Sequence, residues 1–137
     1  MDRRRIIAFT LGGGLLAAVS AYARTTEELR RIGLLTPASH ASLREEILKK
    51  GLRDLGWVEG RNLAIEIRRA GNDAARLSDM AVELARMKVD VIVASTTPAV
   101  AAAKIASATI PIVSISADPV GNGFVASLAR PGGNITG

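Results

Sequence analysis

Val89-Asp90-Val91-Ile92-Val93-Ala94, followed at once by Ser95-Thr96-Thr97-Pro98, decides the fold. Apart from Asp90 the first six residues are apolar. The run is too short for a helix and does not alternate, so it reads as a strand covered on both faces inside a parallel sheet. Thr97-Pro98 then reads as an N-cap followed by proline at the first helical position, where the missing N–H is an orphan anyway. The alanine-rich stretch to Ala108 continues that helix.

Working outward, the same alternation recurs on both sides. Arg31-Ile32-Gly33-Leu34-Leu35-Thr36 is a buried first strand that stops at Pro37. Ser42-Leu43-Arg44-Glu45 has the capping-box spacing, in which the Ser oxygen and the Glu carboxylate each satisfy an orphan N–H. Leu43, Ile47, Leu48, Leu52 and Leu55 follow at helical spacing, with Arg44, Glu45, Lys49, Lys50, Arg53 and Asp54 mostly on the other side. Gly56 closes this helix, since glycine takes the left-handed conformation without a Cβ penalty. Leu63, Ile65 and Ile67 alternate with Ala64, Glu66 and Arg68, as expected of a strand at a sheet edge. After a break at Gly71-Asn72-Asp73, Leu77, Met80, Ala81, Leu84 and Ala85 form a second helical stripe. Ile110-Pro111-Ile112-Val113-Ser114-Ile115 is a fourth strand with its proline near the start. Phe124–Leu128 reads as a short helix, Pro131-Gly132-Gly133-Asn134 as a turn, and Ile135-Thr136 as the start of a fifth strand. Strands and helices in strict alternation imply an α/β fold, a three-layer, doubly wound parallel sheet. Right-handed crossovers, a half-polar second strand and an all-apolar third favour the strand order 2-1-3-4-5.

Composition narrows the function. The chain has 137 residues, no Cys and one His, which excludes a disulfide scaffold, a thiol nucleophile and a multi-His metal centre. No cofactor or metal is expected. Arg3, Arg4 and Arg5 precede an uncharged apolar run, Ile6–Val19, and Ala21-x-Ala23 fits a signal-peptidase site. Residues 1–23 therefore read as an export leader by the general secretory or twin-arginine route, cleaved near Ala23; an uncleaved anchor is the alternative. Two units of the +5 net charge belong to that leader, leaving +3 on residues 24–137 in mixed-sign helix faces. With Trp57 and Phe124 as the only aromatics of that part, no platform for nucleic-acid bases is present.

A ligand in an open parallel sheet sits at the carboxyl ends of the strands. Three loops meet there: Thr36-Pro37-Ala38-Ser39-His40, Ser95-Thr96-Thr97 and Ser116-Ala117-Asp118-Pro119. The helix starting near Thr97 offers N–H groups to an anion, and Asp118 offers a carboxylate to an ammonium. Alternatively Ser95, Thr96 and Thr97 only cap that helix, Asp118 only shapes a turn, and His40 is an exposed loop residue. Trp57 reads as packing at the far end of the sheet. There is no G-x-S-x-G elbow, no phosphate-binding lysine loop, and nothing that orders Ser39, His40 and Asp118 as a triad. Gly121-Asn122-Gly123-Phe124-Val125-Ala126 matches a dinucleotide fingerprint but follows the fourth strand rather than opening the fold.

Several segments together resemble the family of ABC-transporter substrate-binding proteins associated with aromatic amino acids and similar small solutes. They are Arg31–Pro37, Leu52–Leu63 with Gly-Trp-Val-Glu-Gly-Arg-Asn-Leu, Val89–Ala94, and Asp118 to Gly137 with Leu-Ala-Arg-Pro-Gly-Gly-Asn-Ile-Thr-Gly. The resemblance implies one lobe of a type I periplasmic binding protein, two α/β lobes that close on a solute, in members about twice as long. Residues 24–137 would be the N-terminal lobe, with the second lobe missing. It further implies a non-enzymatic periplasmic component that delivers an amino acid or related carboxylate to an inner-membrane ABC permease, with no nucleic-acid partner and no stable homo-oligomer. Thr36, Ser39, Thr96, Thr97 and Asp118 carry over as ligand contacts, and Ser95 shares their rim. A periplasmic sensory module on the same fold is the alternative, and an exported α/β enzyme a distant third.

Overall fold

The computed structural model describes residues 28–115, 121–123 and 133–137. The leader, Asp118 and the short helix expected over Phe124–Leu128 lie outside the described residues. Within them, β1 (Arg30–Thr36), α1 (Leu43–Asp54), β2 (Leu63–Arg69), α2 (Ala74–Arg86), β3 (Val91–Ala94), α3 (Thr97–Ala106), β4 (Ile112–Ser114) and β5 (Ile135–Thr136) follow one another. Every strand pairing is parallel and the order is β2-β1-β3-β4-β5, as the pattern of apolar runs implied.

Side-chain alternation splits the core into two layers. Ile32, Leu34 and Val93 point to the face where Leu48 and Leu52 of α1 pack. Leu35, Ile92, Ala94 and Ile112 point to the other face, against Leu77, Ala81 and Leu84 of α2 and Val100 and Ala103 of α3. A β1–α1–β2 crossover runs toward one edge of the sheet and the later crossovers run toward the other. Because both are right-handed, they place their helices on opposite faces. Gly33 lets α2 approach β1 closely: a Cβ there would stand 3.0 Å from both Cδ atoms of Leu84.

β3 is shorter than its apolar run. It begins at Val91, after Lys88 adopts a left-handed φ of 54° behind α2. Val89 is buried in the core just ahead of the strand. Asp90, the one polar residue of the run, is explained by β1: its Oδ2 accepts from the Arg31 N–H at 2.8 Å, and its own N–H donates to the Arg31 carbonyl at 2.8 Å. β4 likewise starts only after Pro111, whose carbonyl accepts from the Ile92 N–H.

α1 departs from expectation in what it buries. Leu48 and Leu52 face the core, but Leu43, Ile47 and Leu55 are 77%, 62% and 78% exposed. Glu45, expected on the solvated side, is buried. The helix is turned so that the edge carrying Glu45, Leu48 and Leu52 meets the sheet, which leaves the row Leu43–Ile47–Leu55 outside. At its other end α1 stops as expected, with Gly56 at φ 92° donating its N–H to the Arg53 carbonyl. Asn62 then braces the following loop: its side-chain amide donates to the Gly56 carbonyl and its Oδ1 accepts from the Val58 N–H. Trp57 is exposed and borders a groove at this corner with Ile32, Leu52, Leu63 and Val91, at the opposite end of the sheet from the strand carboxyl termini. The Gly-Trp-Val-Glu-Gly-Arg-Asn block is therefore a structural brace.

The Gly33–Leu84 contact is testable by a double-mutant cycle. Leu84→Ala removes a fully buried side chain and is expected to destabilise by about 2–5 kcal/mol. Gly33→Ala alone is expected to cost about 1–3 kcal/mol by overpacking, and clearly less in the Leu84→Ala background. Urea denaturation checks this; additive effects would show that the two residues do not meet.

Candidate functional site

The strand carboxyl ends bring β1, β3 and β4 to one rim, and a small cavity of about 20 Å³ opens there. Leu34, Thr36, Ser42, Arg44, Glu45, Leu48, Ser95 and Ile115 line it. That volume suits one water molecule or one oxygen-bearing group of a ligand. It is too small to enclose a drug-sized ligand, which needs several hundred Å³ (~300–1,000).

Of the rim residues expected from sequence, Thr36 and Ser95 come together in this cavity. Thr36 is buried, and its Oγ1 accepts from the Ala38 N–H at 3.2 Å, which shapes the loop after β1. Ser95 ties its loop to β1 by donating its N–H to the Leu35 carbonyl at 3.2 Å. Thr96 belongs to a second, wider cavity of about 380 Å³, lined by Pro37, Asn72, Asp73, Ala74, Leu77, Thr96 and Pro98. Ser39 lines neither cavity; it is exposed and its Oγ lies 3.0 Å from Nδ1 of His40. Asp118 lies outside the described residues.

The cap of α3 corrects the sequence reading by one residue. Thr96 is the N-cap, with its Oγ1 accepting from the Ala99 N–H, and Thr97 is already the first helical residue. The reason is the backbone: Thr96 is extended at φ −150° and ψ 164°, as an N-cap must be, and Pro98 fits the first turn behind it. This assigns the Thr96 hydroxyl to the helix. The Val100 N–H reaches the Thr96 carbonyl and Pro98 has no N–H, so only the Thr97 N–H of the first turn faces outward.

Sequence reasoning missed Ser42, Arg44 and Glu45. The signal was the capping box, read only as a helix start. Ser42 does cap α1, its Oγ accepting from the Glu45 N–H at 3.4 Å. The reciprocal arm is diverted, because the Glu45 carboxylate takes both of its oxygens to Nη2 of Arg69 at 2.6 Å. Lys49 stands 3.6 Å from the same carboxylate. Glu45 is 4% exposed and Arg69 28%, so the pair is largely shielded from water. Nε of Arg69 is buried without a partner, which adds to the desolvation the pair must offset. Arg69 lies opposite Thr36 in the β1–β2 register, so this ion pair pins the first turn of α1 over the rim. Arg44, the neighbour of Glu45, is exposed and reaches across the cavity to the Ser95 carbonyl at 3.4 Å.

Among the described residues no group of three or more His, Asp or Glu side chains is placed to hold a metal ion. Nor is any described helix long and apolar enough to cross a membrane. The rim offers hydroxyls, one outward N–H and a cation, a set suited to holding a small polar solute by hydrogen bonds and charge.

Comparison with known proteins agrees with this geometry. The family model for ABC transporter substrate binding proteins matches residues 31–137, so the chain belongs to that family. It is 36% identical over 117 residues to a tyrosine-binding protein of Clostridioides difficile, covering 82% of this chain and 33% of that protein. Among solved structures it is similar to a ligand-free, open substrate-binding protein with adhesive properties from Clostridium difficile. That match has a TM-score of 0.73 and 33% identity, over 78% of this chain and 37% of the other. It is also similar to an ABC domain from Streptococcus pneumoniae in complex with L-Trp. There the TM-score is 0.69 and the identity 29%, over 80% of this chain and 38% of that one. The matched part of the chain thus spans about a third of the length of these relatives.

The ion pair at the rim yields a stability prediction. Glu45→Ala leaves the Arg69 charge half-buried and unpaired, and is expected to destabilise by about 2–3 kcal/mol. A fully buried pair would cost about 3–5 kcal/mol, and Arg69 keeps some contact with water. The double variant Glu45→Met/Arg69→Met is expected to recover most of the loss. Chemical denaturation of the three variants is the measurement; a loss below ~0.5 kcal/mol for Glu45→Ala, the level of an ordinary surface change, would show that the pair does not secure α1.

Proposed function

We propose that residues 24–137 are the N-terminal lobe of an extracytoplasmic solute-binding protein that serves an ABC importer. In this reading residues 1–23 direct export and are removed near Ala23. The observation that carries it is the rim cavity, where Thr36, Ser42, Arg44 and Ser95 converge at the strand carboxyl ends of a chain from this family. The solute is an amino acid or a related carboxylate, and an aromatic side chain is favoured because the relatives include a tyrosine-binding protein and a complex with L-Trp.

The mechanism involves no chemical step. The lobe supplies Thr36, Ser95 and the outward Thr97 N–H as contacts, and the remainder of a relative-length protein supplies the opposing wall. Closure of the two walls removes the solute from water, which strengthens each polar contact. An inner-membrane permease then reads the closed form, because a solute stabilises closure only by binding that state more tightly than the open one. Asp118 is proposed as a further contact, to an ammonium group.

In a protein of this family extended to the length of its relatives, calorimetry against amino acids, sugars and purines is expected to show binding of L-tyrosine or L-tryptophan. The lobe alone is expected to bind at least ~100-fold more weakly, since losing several hydrogen bonds of about 1 kcal/mol each, together with burial, costs at least ~3 kcal/mol. Binding of sugars or purines with no response to any amino acid would overturn the ligand assignment.

A further inference from the structure

We infer that Arg44 takes the anionic end of the solute and so sets the selectivity of this rim for a carboxylate. The inference rests on the proposal that the lobe binds a carboxylate-bearing solute, and it names the residue that recognises it.

Charge is the first ground. Around the cavity three cations, Arg44, Lys49 and Arg69, stand with one carboxylate, Glu45. Glu45 is engaged by Arg69 on both oxygens and approached by Lys49. Arg44 has no carboxylate within 4.0 Å among the described residues. The cation lining the groove at the other end of the sheet differs in this: Arg30 has Glu28 at 3.4 Å and Asp90 at 3.6 Å. Among the described residues, then, the Arg44 charge at the cavity is not neutralised by a carboxylate.

Geometry is the second ground. One guanidinium nitrogen of Arg44 touches the Ser95 carbonyl at 3.4 Å, which holds the group across the cavity between the loops after β1 and β3. Arginine has five N–H donors in a planar fork, so most remain available for a bidentate contact with a carboxylate. The backbone alone is a weak alternative for an anion here. The Thr96 hydroxyl occupies the Ala99 N–H and Pro98 has none, which leaves Thr97 as the one outward first-turn donor of α3.

Placement is the third ground. Arg44 lies in the first turn of α1, at the positive end of the helix dipole, where a basic residue is unfavourable and an acidic one is preferred. Helix stability does not account for a cation at this position, whereas a ligand anion would.

The test uses the full chain, its amide NMR spectrum, and three soluble probes: L-tryptophan, indole-3-propionate without the ammonium, and tryptamine without the carboxylate. For the unmodified chain, rim resonances are expected to shift with L-tryptophan and indole-3-propionate. Arg44→Gln is expected to weaken both at least ~10-fold, the scale of one charge-assisted hydrogen bond, and to leave tryptamine within about twofold. Arg44→Lys, which keeps the charge, is expected to restore part of the loss. Equal weakening of all three probes in Arg44→Gln, or none, would overturn the role of Arg44 while leaving the solute-binding proposal standing. No shift with any probe in the unmodified chain, each titrated to its solubility limit so that the weakened binding of this lobe still registers, would overturn that proposal and this inference with it. Retained spectral dispersion of Arg44→Gln and Arg44→Lys is the check that both are folded.

Discussion

β1 is paired on both edges and packed on both faces, and the rest of the structure depends on that. Its backbone groups are shared between β2 and β3, and its side chains divide between the layer under α1 and the layer under α2. Past the two exposed arginines at its start, a strand so placed has no solvent-facing side. Its stretch Ile32–Leu35 must be apolar, and it needs one position without a side chain where a helix comes close. Gly33 beneath Leu84 is that position. Among the described helices, the right-handedness of the crossovers then puts α1 on one face and α2 with α3 on the other.

The rim cavity follows from the same constraint. Because β1 and β3 are neighbours, the loops after them are adjacent, and Thr36 and Ser95 meet although they lie far apart in sequence. What makes the rim more than a set of loop ends is the Glu45–Arg69 pair. It joins α1 to the end of β2, buries a carboxylate beside the cavity, and presents Arg44 at the mouth. A buried ion pair adds little to stability once desolvation is counted, and it contributes positional definition instead. Here that definition falls on the turn of α1 that borders the rim cavity.

Much of the fold was legible in the order of residues, because strand and helix periodicities are local. The apolar run Val89–Ala94, the alternation Leu63–Ile67 and the stripe through Leu77, Ala81 and Leu84 each identified an element and its environment. The site was legible only as a place. Thr36 and Ser95 line one cavity because the fold fixes which loops meet. Thr96 and Thr97 were placed one residue out at the cap, because consecutive threonines are equivalent until the backbone assigns one of them an extended conformation. Arg44 and Glu45 were hidden inside a capping box whose second arm is not made, since its carboxylate finds Arg69 instead.

Sequence by itself determined the α/β class, the three-layer arrangement, the strand order and the family, all of which follow from short-range periodicity, handedness and conspicuous blocks. Only the tertiary structure decided which face of α1 is buried and which rim residues share a cavity. Glu45 and Arg69 are 24 positions apart, and Arg44 and Ser95 are 51 apart. Contacts over such separations leave no periodic trace. They exist only because β1 stands between β2 and β3 and brings both partners to the same end of the sheet.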